Sequence, residues 1–477
     1  MKFITALLGL LISAPSLAED LQPSISLTHH WVGLGALAIF FLAYILAMLE
    51  ESTELRKSKP MVLSASLIWV LISVIYVQNG QSALSSAAFR TSLESYAELF
   101  LFILVSMTYL NAMEQRGIFL SLRSWLLSRN FGYRSLFWVT GLLSFFMSSI
   151  LNNLTTALLM GVVLLALGRD NRRFIGPSCV NVVVATNAGG SFSPFGDITT
   201  LLVWQKGVLP FMDFFSLFLP AVVNFALPAL IMHFWIPKGR PEPSKEKPQL
   251  RRGAIGIVVL FLLTILTAVL FQSQLDLPPA AGMLAGLSYL SFYFYYLYNS
   301  RHKEKKAPTD ELANILTGSE KKNAATPDEQ KLFDVFRNIS KLEWDTLLYF
   351  YGVMVSVAGL SFMGYLHLAS HVLYEQLDPT TAHILVGIIS AFIDNGTIMY
   401  AVLSMDPDIS SGQWLLITLT AGVGGSLLAI GSAAGVGLLG QMRGLYSFVT
   451  HLAWTPAIAL GYAGGILCHF LLNGRYF

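Results

Sequence analysis

Four stretches of this chain interrupt long apolar runs, and they come in two pairs. The first pair is SSILNNLTTALLM, starting at Ser148, and NAGGSFSPFGDITT, starting at Asn187. The second is SAFIDNGTIMYAVLSM, starting at Ser390, and GGSLLAIGSAAGVGLLG, starting at Gly424. In hydrocarbon, backbone that does not hydrogen-bond to itself is costly, so Gly/Ser/Pro-rich breaks with Asn and Asp belong where something polar is bound. The pairs also align. Ser148, Asn152, Asn153 and Thr155 fall on Ser390, Asp394, Asn395 and Thr397, while Gly189, Gly190, Ser191 and Gly196 fall on Gly424, Gly425, Ser426 and Gly431. The chain reads as a duplication.

The runs around these breaks exclude a soluble domain. Of the 477 residues, 54% are hydrophobic and 12% charged, and the mean hydropathy is +0.61. Only helices satisfy their own backbone over such runs in lipid, so the fold class is an all-α polytopic membrane protein. Cys179 and Cys468 lie in apolar runs and read as small buried residues. Residues 1–18, with Lys2, an apolar core and Ser16-Leu17-Ala18 before Glu19, have the pattern of a cleavable bacterial signal peptide. An uncleaved first span is the alternative.

Charge gives the orientation. Arg116, Arg123, Arg129 and Arg134 precede the apolar arms at 135–168, and Arg169, Arg172 and Arg173 follow them. The positive-inside rule puts both ends in the cytoplasm, which makes the arms a re-entrant hairpin with Asn152-Asn153 at its tip. The arms at 380–405 are flanked by Asp378, Asp406 and Asp408 and enter from outside, so the two tips point at each other. The expected architecture is a first span at 30–49 and a repeat at 61–236 with hairpin 135–168 and broken helix 174–207. An extra span at 253–271 follows. A second repeat at 278–472 then carries a cytoplasmic linker at 299–344, hairpin 380–405 and broken helix 409–440. That amounts to about ten spans and two hairpins in inverted-topology repeats, an architecture that binds substrate near the bilayer midplane.

A broken helix offers bare carbonyls on one half and bare N–H groups on the other. Carbonyls together with Asn, Ser and Thr oxygens suit a hard monovalent cation such as Na⁺. Each half also brings one carboxylate, from different elements: Asp197 falls on Ser432, and Asp394 falls on Asn152. A carboxylate in low dielectric holds its proton more firmly than in water, so H⁺ and Na⁺ compete for the same oxygens. Thr199 and Thr200 either ligate the ion or cap the half-helix that begins after Asp197. Glu98, deep in its span, is a proton-path candidate, and Glu94 one turn earlier reads as solvated. Glu343 and Asp345 read as an interfacial helix start. His233, His451 and His469 lie near span ends, where the ring needs no function, and His29-His30 has no third ligand spaced to join it.

At these residues the chain resembles the NhaD-type sodium/proton antiporters, members of the ion transporter superfamily that also holds arsenite permeases and divalent-anion/sodium symporters. The likeness covers nearly the whole chain and is strongest at SSILNNLTTALLM, NVVVATNAGGSFSPFGDITTLLVWQKG, SAFIDNGTIMY and GGSLLAIGSAAGVG. It implies extrusion of Na⁺ and Li⁺ across the bacterial inner membrane against inward H⁺, in the service of pH and sodium homeostasis. By motif it implies cation-binding roles for Ser148, Asn153, Asn187, Asp197, Thr199, Thr200, Ser390, Asp394, Asn395 and Ser432. Asp197, Asp394 and Glu98 are its implied proton path. The family usually has Asp-Asn at the first tip, where this chain has Asn152-Asn153, so one titratable group is missing.

The alternatives are a sodium-coupled dicarboxylate symporter, an arsenite-type permease and, from another class, an intramembrane aspartyl protease. Asp394 would repel a dicarboxylate, and Asp197 lacks the Gly spacing of the protease motif. There is no nucleotide-binding loop, and neither a cofactor, a nucleotide nor a nucleic acid is expected. Partners beyond the ions and the bilayer reduce to a homodimer, on analogy alone.

Overall fold

The computed structural model describes residues 27–129, 131–168, 171–241, 250–305, 335–340 and 342–477. The signal-peptide segment 1–18 and most of the expected linker lie outside the described residues. Among the described residues every regular element is helical. The first half contains α1 (Trp31–Met48), α2 (Ser58–Gln78), α3 (Ser82–Gln115), α4 (Ile118–Ser128), α5 (Tyr133–Ser148), α6 (Asn153–Gly168), α7 (Arg172–Gly190), α8 (Ile198–Gln205) and α9 (Phe218–His233). Next come α10 (Ala254–Leu275), α11 (Pro279–Lys305) and α12 (Trp344–Phe362). The last third holds α13 (Pro379–Ile389), α14 (Asn395–Met405), α15 (Ser411–Gly424), α16 (Ala433–Gln441) and α17 (Thr455–Asn473).

Among the described residues, seven helical segments are long and apolar enough to cross a membrane: Trp31–Met48, Ser58–Gln78, Ser82–Gln115, Phe211–His233, Ala254–Leu275, Trp344–Phe362 and Thr455–Tyr476. Three fewer than the ten expected, they leave out the two broken helices and α11, whose apolar first half runs into tyrosines and charges. Large apolar side chains such as Phe41, Leu63, Phe146, Ile255, Phe292 and Leu471 point outward. Water would not tolerate so continuous an apolar exterior, and lipid does. The chain is a multi-pass membrane protein.

The four arms flanking the expected tips are short. α5 and α6 have 16 residues each, about 24 Å of helix, and α13 and α14 have 11 each, about 17 Å. A hydrocarbon core is about 30 Å thick. α3, with 34 residues, is about 50 Å long. α11 runs on to Lys305, into the segment read as a linker.

The helices divide into two compact units. One comprises the chain up to Glu94 together with Leu348–Leu368, and the other Ser95–Leu347 with Ala369–Phe477. In the first unit α1, α2 and the adjoining parts of α3 and α12 close on a core of Val32, Ala36, Ala65, Ile68, Trp69, Ile72, Tyr76 and Phe362. The Trp69 indole N–H donates to the Val355 carbonyl at 2.8 Å, and its ring stacks on Phe362. His30 caps α1 by accepting from the Val32 N–H, an ordinary helix-start role for a residue that had suggested a metal tract.

The second unit contains all four breaks. α5 packs on α7, α13 on α15, and α9 on α17. The other arms cross over: α6 packs on α16, and α14 on α8. Each half-helix that follows a break is thus held by an arm from the other half of the sequence.

Close packing in the first unit is testable at Gly352, where an added Cβ would lie 2.6 Å from the Val62 nitrogen and still closer to the Met61 backbone. Overpacking of this kind costs about 1–3 kcal/mol. Gly352→Leu is expected to lower the melting temperature of the detergent-purified protein, and Gly440→Ala, with no atom within 4 Å, is expected to leave it unchanged. Equal melts would contradict the packing.

Candidate functional site

The breaks begin as helix ends. α7 stops at Gly190 and α8 starts after Asp197, whose backbone is extended (φ −138°, ψ 154°) and whose Oδ1 accepts from the Ile198 N–H at 2.7 Å. α15 stops at Gly424 and α16 starts after Ser432, with nearly the same backbone (φ −138°, ψ 149°) and with Oγ accepting from Gly435 N–H. Carboxylate and hydroxyl do the same capping work. The loops between pack so tightly that a Cβ at Gly196 would sit 2.5 Å from the Ser148 carbonyl oxygen, and one at Gly431 2.7 Å from that of Ser390. Each break is pressed against the tip of its own pair of arms.

The tips match as well. Asn152 caps α6 by accepting from the Thr155 N–H at 2.7 Å. Asp394 caps α14, accepting from the Thr397 N–H at 3.2 Å. Both residues are half-buried. At this position, then, the uncharged Asn152 replaces the capping function of a carboxylate but not its charge.

A buried chain of side chains links the first tip to the second break. The Ser148 hydroxyl donates to Asn153 Oδ1 at 2.6 Å, Asn153 Nδ2 donates to Asn187 Oδ1 at 3.2 Å, and Asn187 Nδ2 donates to Ser432 Oγ at 3.0 Å. The converse link is shorter: Asn395 Nδ2, at the second tip, donates to Asp197 Oδ2 at 2.8 Å. Asn395 Oδ1 is itself occupied by the Gly396 N–H at 2.9 Å. Each tip asparagine is fixed, so its free oxygen valence points in a defined direction.

Asp197 is the one carboxylate classed as buried among the described residues. Among the described residues it is hydrogen-bonded by the Asn395 amide and the Ile198 N–H, with no cationic side chain on it. The fully buried Thr199 hydroxyl faces the same carboxylate. Asp394 is close enough to act on Asp197 electrostatically. An ionised carboxylate enclosed in this way requires a positive partner, and either a proton or a bound cation supplies it.

The remaining expected residues lie nearby in different roles. Thr200 donates to the carbonyls of Ser193 and Asp197, at 2.9 and 2.8 Å, and thus braces the break. Ser390 donates to the Ala421 carbonyl at 2.8 Å. Glu98 is half-buried on α3, one turn before Phe102, whose ring lies 5.4 Å from that of Phe195 in the first break.

One residue was underrated from sequence. His451, dismissed as an amphipathic ring at a span end, is fully buried, with Nε2 2.8 Å from the Ser426 carbonyl oxygen and Nδ1 2.6 Å from the Tyr446 hydroxyl. The carbonyl can only accept, so Nε2 carries the proton and Nδ1 accepts from Tyr446. The ring pins the start of the second break. No sequence spacing announced this, because His451 and Ser426 meet only through the fold. His451→Leu leaves two buried polar groups without partners and is expected to cost about 1–3 kcal/mol, with faster amide hydrogen exchange through Ser426–Ser432. A variant with wild-type melting and exchange would contradict the bracing role.

The family model described as "Citrate transporter" matches residues 4–422. A protein named Na⁺/H⁺ antiporter NhaD from Alkalimonas amylolytica is 49% identical, over 100% of this chain and 98% of its own length. Another of that name from Vibrio cholerae is 49% identical over 99% of both. Sodium/proton antiporter 1 of Arabidopsis thaliana is 29% identical over 97% of this chain and 77% of its own length. With its matched family model and end-to-end identity near one half to two proteins of that name, the chain belongs to the NhaD-type sodium/proton antiporter family.

Proposed function

We propose that the protein exchanges Na⁺ for H⁺ across a membrane by alternating access, with Asp197 as the group for which the two ions compete. The observation that carries this is Asp197 itself, a buried carboxylate with no cationic partner among the described residues, bonded to Asn395 from the other half and facing the buried Thr199 hydroxyl. Full-length relatives named as Na⁺/H⁺ antiporters support it. The protein is a transporter and not an enzyme, since these relatives are named as transporters.

In the proposed cycle, Asp197 opens to one side and releases its proton as Na⁺ enters. Asp197 Oδ2 and Thr199 Oγ1 are the proposed cation ligands. Asn153, Asn187, Ser148 and Ser432 hold the facing tip and half-helix in place, and Ser390, Asn395 and Thr200 brace their own halves. Asp394 adds negative potential and, with Glu98, a route for the proton. The ion-loaded or proton-loaded site then turns to the opposite face, because an empty carboxylate is too costly to carry across. Transport thereby becomes strict exchange.

The architecture proposed for this is an inverted-topology repeat with re-entrant arms. Arms of about 17–24 Å, shorter than a hydrocarbon core, favour tips that stop partway. The crossed packing of α6 on α16 and α14 on α8 fits two halves that enclose one site. Placement in the bacterial inner membrane, Li⁺ as a second cargo and association into a homodimer complete the reading. They rest on the family resemblance and on architectural analogy. Symport of a di- or tricarboxylate has the description of the family model in its favour, and Asp197 and Asp394 at the site against it.

Everted vesicles read the exchange directly. Na⁺ or Li⁺ added after respiration-driven acidification is expected to dissipate ΔpH. Half-saturation should fall as pH rises, since fewer protons then compete. Asp197→Asn should abolish the response. Asp394→Asn should weaken it at least about tenfold, the effect of losing a nearby opposite charge worth more than about 1.4 kcal/mol. Accumulation of labelled citrate or succinate with Na⁺, without any ΔpH response, would contradict the exchange.

A second variant tests the first tip. Asn152 is half-buried and caps α6 through one oxygen, a bond a carboxylate makes equally well. Asn152→Asp is therefore expected to leave folding intact and to change the pH dependence of exchange. A profile identical to wild type would mean that the charge at this tip is without consequence.

A further inference from the structure

The two breaks are alike in backbone, and one of the positions at which their sequences differ lies beside Asp197. By the correspondence that sets Gly189 on Gly424 and Asp197 on Ser432, Asn187 falls on Gly422. In the first case the Asn187 amide fills the gap between a tip and a half-helix, accepting from Asn153 at 3.2 Å and donating to Ser432 at 3.0 Å. In the second there is no side chain, and Asn395 reaches Asp197 directly. A Cβ built at Gly422 would lie 3.5 Å from the Ser191 Cβ, 3.5 Å from Thr199 Oγ1 and 3.7 Å from Asp197 Oδ2. These are ordinary contact distances with no overlap, so a Cβ would fit there. Two of its three nearest neighbours are oxygens, the buried Thr199 hydroxyl and the Asp197 carboxylate.

We propose that Gly422 keeps the cation seat open and sets its size. The ion sits beside Gly422, between Thr199 Oγ1 and Asp197 Oδ2, on the side of the helix from which in the other half the Asn187 amide reaches Asn153 and Ser432. An amide is neutral and permanent, whereas a cation is charged and exchangeable. The glycine makes one of two related positions a structural joint and the other a transport site. It is a specificity-determining position and does not itself touch the ion with a functional group. The inference rests on the Na⁺/H⁺ reading above and extends it to ion size.

A methyl at Gly422 narrows the seat from the side opposite the oxygens. The larger Na⁺ is affected more than the smaller Li⁺, and steric discrimination by one methyl-sized group is worth about tenfold or more. Gly422→Ala is expected to raise the half-saturating Na⁺ concentration in everted vesicles at least about tenfold and that of Li⁺ by clearly less. Gly422→Asn, which rebuilds the amide bridge, is expected to abolish both responses. Gly440→Ala, in open space, is the control and should match wild type.

Each outcome discriminates. A responsive wild type with Na⁺ and Li⁺ half-saturation unaltered in Gly422→Ala would overturn this inference alone. A wild type that responds to neither cation would overturn the exchange reading, and this inference with it. Purified Gly422→Ala should melt within about 5 °C of wild type when no ion is added, while the stabilisation by added Na⁺ should be lost more than that by Li⁺. A larger ion-free drop would mean that a Cβ does not fit there, and would also overturn the proposal.

Discussion

A carboxylate buried without a cationic side chain is the constraint on which the rest of this protein depends. Two charges can neutralise each other in a protein interior, but one charge alone has no stable place there. Asp197 is held in that position by helix-cap geometry, by an amide from the distant half of the chain and by loops too tight for any Cβ at Gly196. Whatever relieves it must come and go from outside. A proton and a small cation are the partners whose size and charge suit the space around Thr199 and Gly422.

The crossed arrangement of the helices follows from the same constraint. Broken helices leave backbone groups that lipid cannot satisfy, so the breaks must be walled by other parts of the protein. α6 and α14 supply these walls, each to the half-helix of the other half. The Ser148–Asn153–Asn187–Ser432 chain and the Asn395–Asp197 bond tie the walls to the breaks at both places.

Much of this was legible in the sequence, because breaks in apolar runs are rare and specific. The correspondence of Asn152 with Asp394, and of Asp197 with Ser432, was in the order of residues before it appeared as matching helix caps. The Thr200 hydroxyl donates to the Ser193 and Asp197 carbonyls while its neighbour Thr199 faces the carboxylate, a difference that two adjacent threonines do not disclose in sequence. What escaped the sequence depended on long-range contacts. His451 gains its role only by meeting Ser426 and Tyr446, and Gly422 gains its role from the absence of a side chain, which no motif records. By length and hydropathy seven helical segments among the described residues qualify as spans, because α11's tyrosines lower its hydropathy and a break divides a helix into halves too short to count.

The central claim is that one carboxyl group binds either H⁺ or Na⁺, and proton release from the purified protein tests it without a membrane. Na⁺ is added to detergent-solubilised protein in weakly buffered solution at a series of pH values, and the liberated protons are counted with a pH indicator dye. The account predicts release on Na⁺ addition that vanishes in Asp197→Asn and is unchanged in Gly440→Ala. Sodium binding with no proton released, or equal release from Asp197→Asn, would contradict it.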